Sequence, residues 1–248
     1  SVGTAMDEIP LHASFELTAV GGASLGPDDV HVWAVPLHGE GEAWAELLSP
    51  AERERAARYR FADHQRRYRI AHGALRAVLA GYLGCEPAAV AFTQGPRGKP
   101  YLADGRLFFN TSHSGKLALL AVANRELGVD LEKVRHLESL HAIARRHFSS
   151  GEFAALEALP EAARVLAFYR CWTRKEAYIK ALGEGLAIAL DTFDVSVDER
   201  PAFLACHDGR ERPADWTMLD CSPGPDFVAA AALRHGAPRL RCFRLRGR

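Results

Sequence analysis

Ser49-Pro50-Ala51-Glu52 and, one hundred residues later, Ser149-Ser150-Gly151-Glu152 are the stretches on which the fold turns. Each is a Ser-x-x-Glu start. The serine hydroxyl accepts from an early helix amide, and the glutamate reaches back to the serine's own amide. Pro50 at the first helical position strengthens the first start. Ahead of it, residues 30–37 (VHVWAVPL) alternate with the period of a strand. After it, helical periodicity runs to Leu83-Gly84, with a break near residues 61–64. Strands are expected near residues 89–92 and from 107 to 123, interrupted by a turn around 112–115. The second start has the same surroundings. Residues 127–134 (LGVDLEKV) read as a strand, and helical pattern runs to Leu182-Gly183 with a break at Pro160. Strands follow at 193–197, 202–206, 216–220 and 227–233. Even the last strands rhyme: Asn110-Thr-Ser stands before LALLAVA, and Asp220-Cys-Ser before FVAAAAL. This order implies two similar α+β lobes related by a pseudo-twofold axis, residues 1–125 and 126–248, with a cleft between them as the natural ligand site. The alternative is one mixed domain whose halves resemble each other by chance.

The bulk numbers agree with a globular protein. The chain has 248 residues, 48% of them hydrophobic, enough for a sizeable core. Its 31 basic and 31 acidic residues cancel, so no general attraction to nucleic acid or membrane is expected. The longest strictly apolar runs have seven residues, against the roughly 20 of a membrane-spanning helix. Ser1 to Ile9 lack a basic segment followed by an apolar one, so no signal peptide is expected. Five widely spaced cysteines without a CxxC read as reduced cytoplasmic thiols. No HExxH occurs among the histidines.

Four features resist a purely structural reading. The helix over residues 161–182 carries an apolar stripe at Val165, Tyr169, Trp172, Ile179 and Leu182, and Glu176 falls inside it. A carboxylate facing a core or cleft is costly unless a cation or strong donors meet it. Lys180, one turn on, projects the same way. The pair reads either as an edge-of-stripe ion pair or as part of a site. Asp130 and Glu132, two apart on a strand, share one face, while Val129 and Leu131 take the other. They are either a solvated strand face or, joined with Glu176, an oxygen site for Mg²⁺. Residues 110–115 (NTSHSG) form a polar patch inside an apolar strand region, either an ordinary turn or a cradle for an anion. Residues 53–69 hold seven arginines against Glu54 and Asp63, a solvated helix face or a phosphate-binding surface. Two other motifs fail: Gly183-Glu184-Gly185 follows a helix, and Gly95-Pro-Arg-Gly-Lys99 lacks P-loop spacing.

Taken together, four ordered blocks resemble the Sfp-type 4′-phosphopantetheinyl transferases. They are Gly98-Lys99-Pro100, Phe109-Asn-Thr-Ser-His-Ser114, Gly128-Val-Asp-Leu-Glu132, and Phe148 followed by Trp172-Thr-Arg-Lys-Glu-Ala-Tyr-Ile-Lys180. Gly183-Glu184-Gly185-Leu186 also matches. The resemblance covers roughly residues 30 to 235; the first 25 residues and the Arg-rich tail after Pro238 add nothing to it. It implies a pseudo-dimer of two α+β lobes. It also implies transfer of the phosphopantetheine arm of coenzyme A to a serine of an apo acyl or peptidyl carrier protein, with Mg²⁺ (Mn²⁺ as the alternative ion) and release of 3′,5′-ADP.

The site residues follow from the resemblance one by one. Asp130, Glu132 and Glu176 match metal ligands. Asp130, Glu176 and Lys180 form the catalytic set, with Lys180 near the transferred phosphate and Glu176, directly or through a water, as base. Ser112 and His113 match groups that hold coenzyme A phosphates. Gly98, Lys99 and Pro100 match the segment at the adenine end, and Lys175 joins the coenzyme A-binding set. Arg55 and Arg67 align with basic positions near the 3′-phosphate, while Glu52 stands where a lysine occurs in relatives. A cytoplasmic monomer is expected, with an acidic carrier received by the arginine-rich helices.

Overall fold

The computed structural model describes residues 9–183, 187–234 and 236–248. Both Ser-x-x-Glu starts are reciprocal capping boxes. Ser49 caps α2 (Pro50–Ala57) and Ser149 caps α5 (Ser150–Glu157). Each short helix leads into a 22-residue helix, α3 (Ala62–Leu83) or α6 (Glu161–Leu182). Both long helices stop at a glycine in the left-handed region, Gly84 at φ 66° and Gly183 at φ 68°, a conformation that favours glycine.

The strands repeat in the same sense. β2 (Asp29–Pro36), β5 (Phe108–Ser114) and β6 (Leu117–Ala123) form one antiparallel unit with β6 in the middle. β7 (Leu127–Lys133), β10 (Thr217–Asp220) and β11 (Phe227–Leu233) form the other, with β11 in the middle. Each half adds a two-stranded hairpin: β3 (Phe92–Gln94) with β4 (Pro100–Leu102), and β8 (Phe193–Val195) with β9 (Phe203–Cys206). Helices α1 (Glu42–Ala45) and α4 (Leu140–His147) complete the set among the described residues.

Alternation along the strands divides the interior into three cores. Trp33, Val35, Leu120 and Val122 pack under α3. Val228, Ala230 and Ala232 pack under α6. Val30, Val32, Leu119, Leu127, Val129, Leu131 and Ala231 fill the space between the two sheets. The layers therefore run helix, sheet, sheet, helix. Every residue of β6 and β11 is buried, as expected of strands covered on both faces.

Several results depart from the sequence reading: β3 begins only at Phe92, after a 3-10 turn over Pro87–Ala89, and β1 (Phe15–Thr18), β4, α1 and α4 are not expected from it. The tail after Pro238, read as uninformative and placed with the second lobe, forms β12 (Arg239–Leu245) in the first lobe's sheet. There it runs parallel between β1 and β2. Residues 112–114, read as a turn, continue β5, and the chain reverses only at Gly115, at φ 59°. The matching segment Glu184–Leu186 lies outside the described residues.

Candidate active site at the seam between the sheets

The edge of β7 lies along β5 without ordinary ladder bonds. Side chains of alternate β5 residues serve its amides instead. Asn110 Oδ1 accepts from Val129 N at 2.8 Å, Ser112 Oγ from Leu131 N at 3.1 Å, and Ser114 Oγ from Lys133 N at 2.9 Å. From the other side, Lys180 Nζ donates to Thr111 O at 3.0 Å and Val129 O at 2.7 Å. The polar patch that interrupts an apolar strand is thus a side-chain seam joining the two sheets.

Gly128 brings α6 onto this seam. A Cβ there would stand 2.0 Å from Ala177 O and 2.5 Å from Ala181 N, so a larger residue would force strand and helix apart. Asp130 and Glu132 leave β7 on the same face, toward Glu176 and Lys180. Asp130 is buried, at 7% exposure. Its Oδ1 accepts from Ser112 Oγ at 3.2 Å and lies 3.7 Å from Lys180 Nζ. Its Oδ2 is buried without a hydrogen-bond partner. Burial pushes the Asp130 carboxyl up to about 7; Glu132 and Glu176 push the same way, against Lys180 and Ser112. Burial also raises Glu132 and Glu176, and it lowers Lys180 against the pull of Asp130 and the two glutamates.

An orphaned carboxylate oxygen beside two acids that raise its proton affinity is a donor set short of a cation. The acids suit a hard divalent ion in chemistry. In this structure they are neighbours that do not converge: no group of three His, Cys, Asp or Glu among the described residues is arranged to enclose a metal.

Two clefts meet at Thr111. One is a groove with Arg97, Gly98, Lys99 and Pro100 on one wall and Asn110, Thr111, Ile179, Lys180 and Gly183 on the other. The second lies under α3 and is lined by His72, Leu75, Thr111, Ser112 and His113. His72 stacks on Tyr68 with ring centroids 4.0 Å apart. Burial lowers its pKa, and Arg55, Arg76 and His113 lower it further, against Glu52.

Family models for this architecture match both halves of the chain. One described as the 4′-phosphopantetheinyl transferase superfamily matches residues 126–232, and one for the N-terminal part of such transferases matches residues 32–125. The 4′-phosphopantetheinyl transferase HetI of Nostoc sp. is 40% identical over 215 residues, covering 83% of this chain and 88% of that protein. A 4′-phosphopantetheinyl transferase of Bacillus subtilis is 30% identical over 202 residues, 76% of this chain and 88% of that protein. Sfp of Bacillus subtilis strain 168 is 28% identical over 201 residues, again 76% and 88%. The chain belongs to the 4′-phosphopantetheinyl transferase family. It is a transferase with the mixed α+β fold of that family.

Within a 4′-phosphopantetheinyl transferase the residues expected at the site are not all brought together. Asp130, Glu132, Glu176 and Lys180 gather at the seam, with Ser112 bonded to Asp130 rather than free. His113 is exposed on the other face of β5, in the cleft with His72. Arg55 is exposed on α2, and Arg67 is engaged by Asp63 at 2.7 Å and Gly115 O at 3.2 Å. Gly98 and Pro100 line the groove, but the Lys99 ammonium is bound to Glu126 and Leu127 O, both at 3.0 Å.

Lys175 requires a correction. It is 1% exposed, on the core side of α6. Its Nζ donates to Glu152 Oε1 and Phe193 O, both at 2.6 Å, and lies 4.0 Å from the centre of the Phe193 ring. Its ammonium is therefore committed inside the second half and does not face the seam or either cleft. Glu52, noted as standing in a lysine's place, pairs with the buried Arg76 at 2.7 Å and closes the α2 capping box. Sequence reasoning missed His72 and Glu126; only the Tyr68-to-His72 helical spacing hinted at the former.

Proposed function

We propose that this protein moves the 4′-phosphopantetheine arm of coenzyme A onto a serine of an apo acyl or peptidyl carrier protein, with release of 3′,5′-ADP and with Mg²⁺ or Mn²⁺ at the acidic site. The observation that supports it is Asp130, buried with a free Oδ2 beside Glu132, Glu176 and Lys180, where the groove reaches the seam. Asp130, Glu132 and Glu176 would hold the ion, with waters and substrate phosphate completing its shell. When bound, the ion would neutralise the pyrophosphate and the charge developing on the leaving group.

This chain's own residues would do the rest. Lys180 commits two of its protons to Thr111 O and Val129 O. Its charge is therefore held in place beside Asp130, where negative charge builds on the breaking bridge. The serine Oγ would attack the phosphorus that carries the pantetheine arm, and the bond to the 3′,5′-ADP oxygen would break. Glu176 is suited to receive the serine proton, because burial holds its carboxyl above the usual range. His113 and His72 face the cleft where further phosphate oxygens of coenzyme A would lie. The exposed Arg55, Arg58 and Arg60 at the end of α2 suit an acidic carrier, and the duplication within one chain supports a monomer.

The test is direct. The protein is mixed with coenzyme A, Mg²⁺ and an apo acyl or peptidyl carrier, and the carrier is weighed by mass spectrometry. A gain of one phosphopantetheine that chelation of the metal prevents is expected. Coenzyme A binding with no gain on either carrier type would overturn the transfer reading in favour of a binding protein.

A further inference from the structure

Three segments meet at the end of the groove. Glu126 stands just ahead of β7, and its Oε1 accepts from Lys99 Nζ at 3.0 Å and from the Tyr101 hydroxyl. Lys99 Nζ also donates to Leu127 O at 3.0 Å. The Lys99 side chain is only 8% exposed, so this cation is committed. Gly183, which ends α6, completes the contact: a Cβ there would lie 2.9 Å from the Tyr101 hydroxyl oxygen and 3.7 Å from Lys99 Cδ. The β3–β4 hairpin that carries Lys99 and Tyr101 is a two-stranded sheet outside both main ladders. Its side chains, rather than a ladder, tie it to the second lobe.

We propose that Glu126 is a positioning residue: through Lys99 and Tyr101 it latches the β3–β4 hairpin to the start of β7 and the end of α6, holding Gly98 to Pro100 over the nucleotide end of the coenzyme A groove. The inference rests on the coenzyme A reading above. It differs from a direct role of Lys99 in binding the coenzyme, and the two have opposite signs. A lysine that contacts coenzyme A competes with Glu126, so Glu126→Gln would free its charge and tighten binding. In a latch the same change releases the hairpin and strands Lys99 without its partner.

The experiment measures calorimetric affinity for coenzyme A together with KM and kcat, on protein whose folding is checked by urea unfolding. For Glu126→Gln and for Lys99→Met the expected result is an about tenfold rise in KM with kcat within about twofold. The double variant Glu126→Gln/Lys99→Met is expected to be no worse than either single change, because neither partner is then left unpaired. Tyr101→Phe, which removes one hydroxyl, moves KM the same way by less. An unchanged or lowered KM in Glu126→Gln, or losses that add in the double variant, would overturn the latch. Wild-type protein that binds no coenzyme A would instead overturn the groove reading beneath it.

Discussion

The two halves of this chain repeat the same order of elements, and the charges proposed for the site stand where their matching positions differ in chemistry. In both, the capping-box glutamate meets a buried cation from the long helix: Glu52 with Arg76 at 2.7 Å, Glu152 with Lys175 at 2.6 Å. Arg76 and Lys175 stand equally far from the glycines that close their helices. The strands match as closely. Trp33 pairs with the central residue of β6, Leu120, as Asp130 pairs with the central residue of β11, Ala230. On the helix-facing side the first half has His31, Trp33 and Val35, where the second has Gly128, Asp130 and Glu132. At the positions of α3 that match Glu176 and Lys180 of α6 stand Ala77, which is buried, and Gly81, which lies against Gly21. One copy filled this layer with an apolar core, with Trp33 Nε1 and His31 both bonded to the Tyr82 hydroxyl. The other left out bulk and put in acids. The shared ion pair belongs to the architecture, and the unshared charges are those the proposed mechanism uses.

The comparison breaks most visibly if the unshared charges are dispensable. Glu176→Ala gives the second half the residue of the first. Turnover is expected to fall by at least about a hundredfold while the fold survives, read by carrier mass and circular dichroism. Near-normal turnover by a folded variant would remove Glu176 from the mechanism. The shared pair makes the opposite prediction. Glu152 is 3% exposed and also accepts from Ser149 N and Val195 N. Glu152→Ala should therefore cost about 3–5 kcal/mol in urea unfolding. Glu52→Ala, at a more open pair, should cost less, about 1–2 kcal/mol. Lys175→Met should likewise destabilise without raising the KM for coenzyme A; a raised KM in a stable Lys175→Met variant would restore it to the binding set.

Gly128→Ala probes the close approach that lets the second half hold its acids against α6. With Ala177 O only 2.0 Å from the new Cβ, strand and helix must part. A loss of about 3 kcal/mol is expected, with a larger loss of activity than the unfolded fraction explains. Stability within error of wild type would mean that the layer is soft.

What the sequence made legible is local. The two Ser-x-x-Glu helix starts, the closing glycines and the shared face of Asp130 and Glu132 depend on neighbours a few residues apart, and these are found as read. Three features depend on distant partners. β12 pairs Arg239 with Asp29 and Leu240 with Val30, and nothing near residue 240 signals a strand that returns across the whole chain. Residues 112 and 114 look like a turn because they are polar, yet their hydroxyls serve the amides of β7. Lys175 and Glu176 are adjacent and charged. The rotation of one helical residue sends the first into the core and the second to the seam, and only the position of Glu152 decides which is which.

The pH dependence of stability is the most discriminating effect, because it sets stability against function at one atom. Burial, helped by its acidic neighbours, pushes the Asp130 carboxyl from the ordinary 3.8 up to about 7. A carboxyl with a raised folded pKa binds more protons folded than unfolded. Its contribution to stability is therefore greatest below the ordinary value and is lost as pH rises toward the folded one. Glu132 and Glu176, also raised, add in the same direction. With metal chelated, Asp130→Asn should leave stability unchanged near pH 4 but raise it by about 2 kcal/mol at pH 8, followed by thermal unfolding across that range. Trp33, at the same place in the first half, carries no charge that titrates in this window, so Trp33→Phe should leave the pH slope alone. Adding Mg²⁺ at pH 8 should stabilise the wild type and do little for Asp130→Asn. If the two proteins share one pH slope, the buried Asp130 carboxyl does not set the pH dependence of stability.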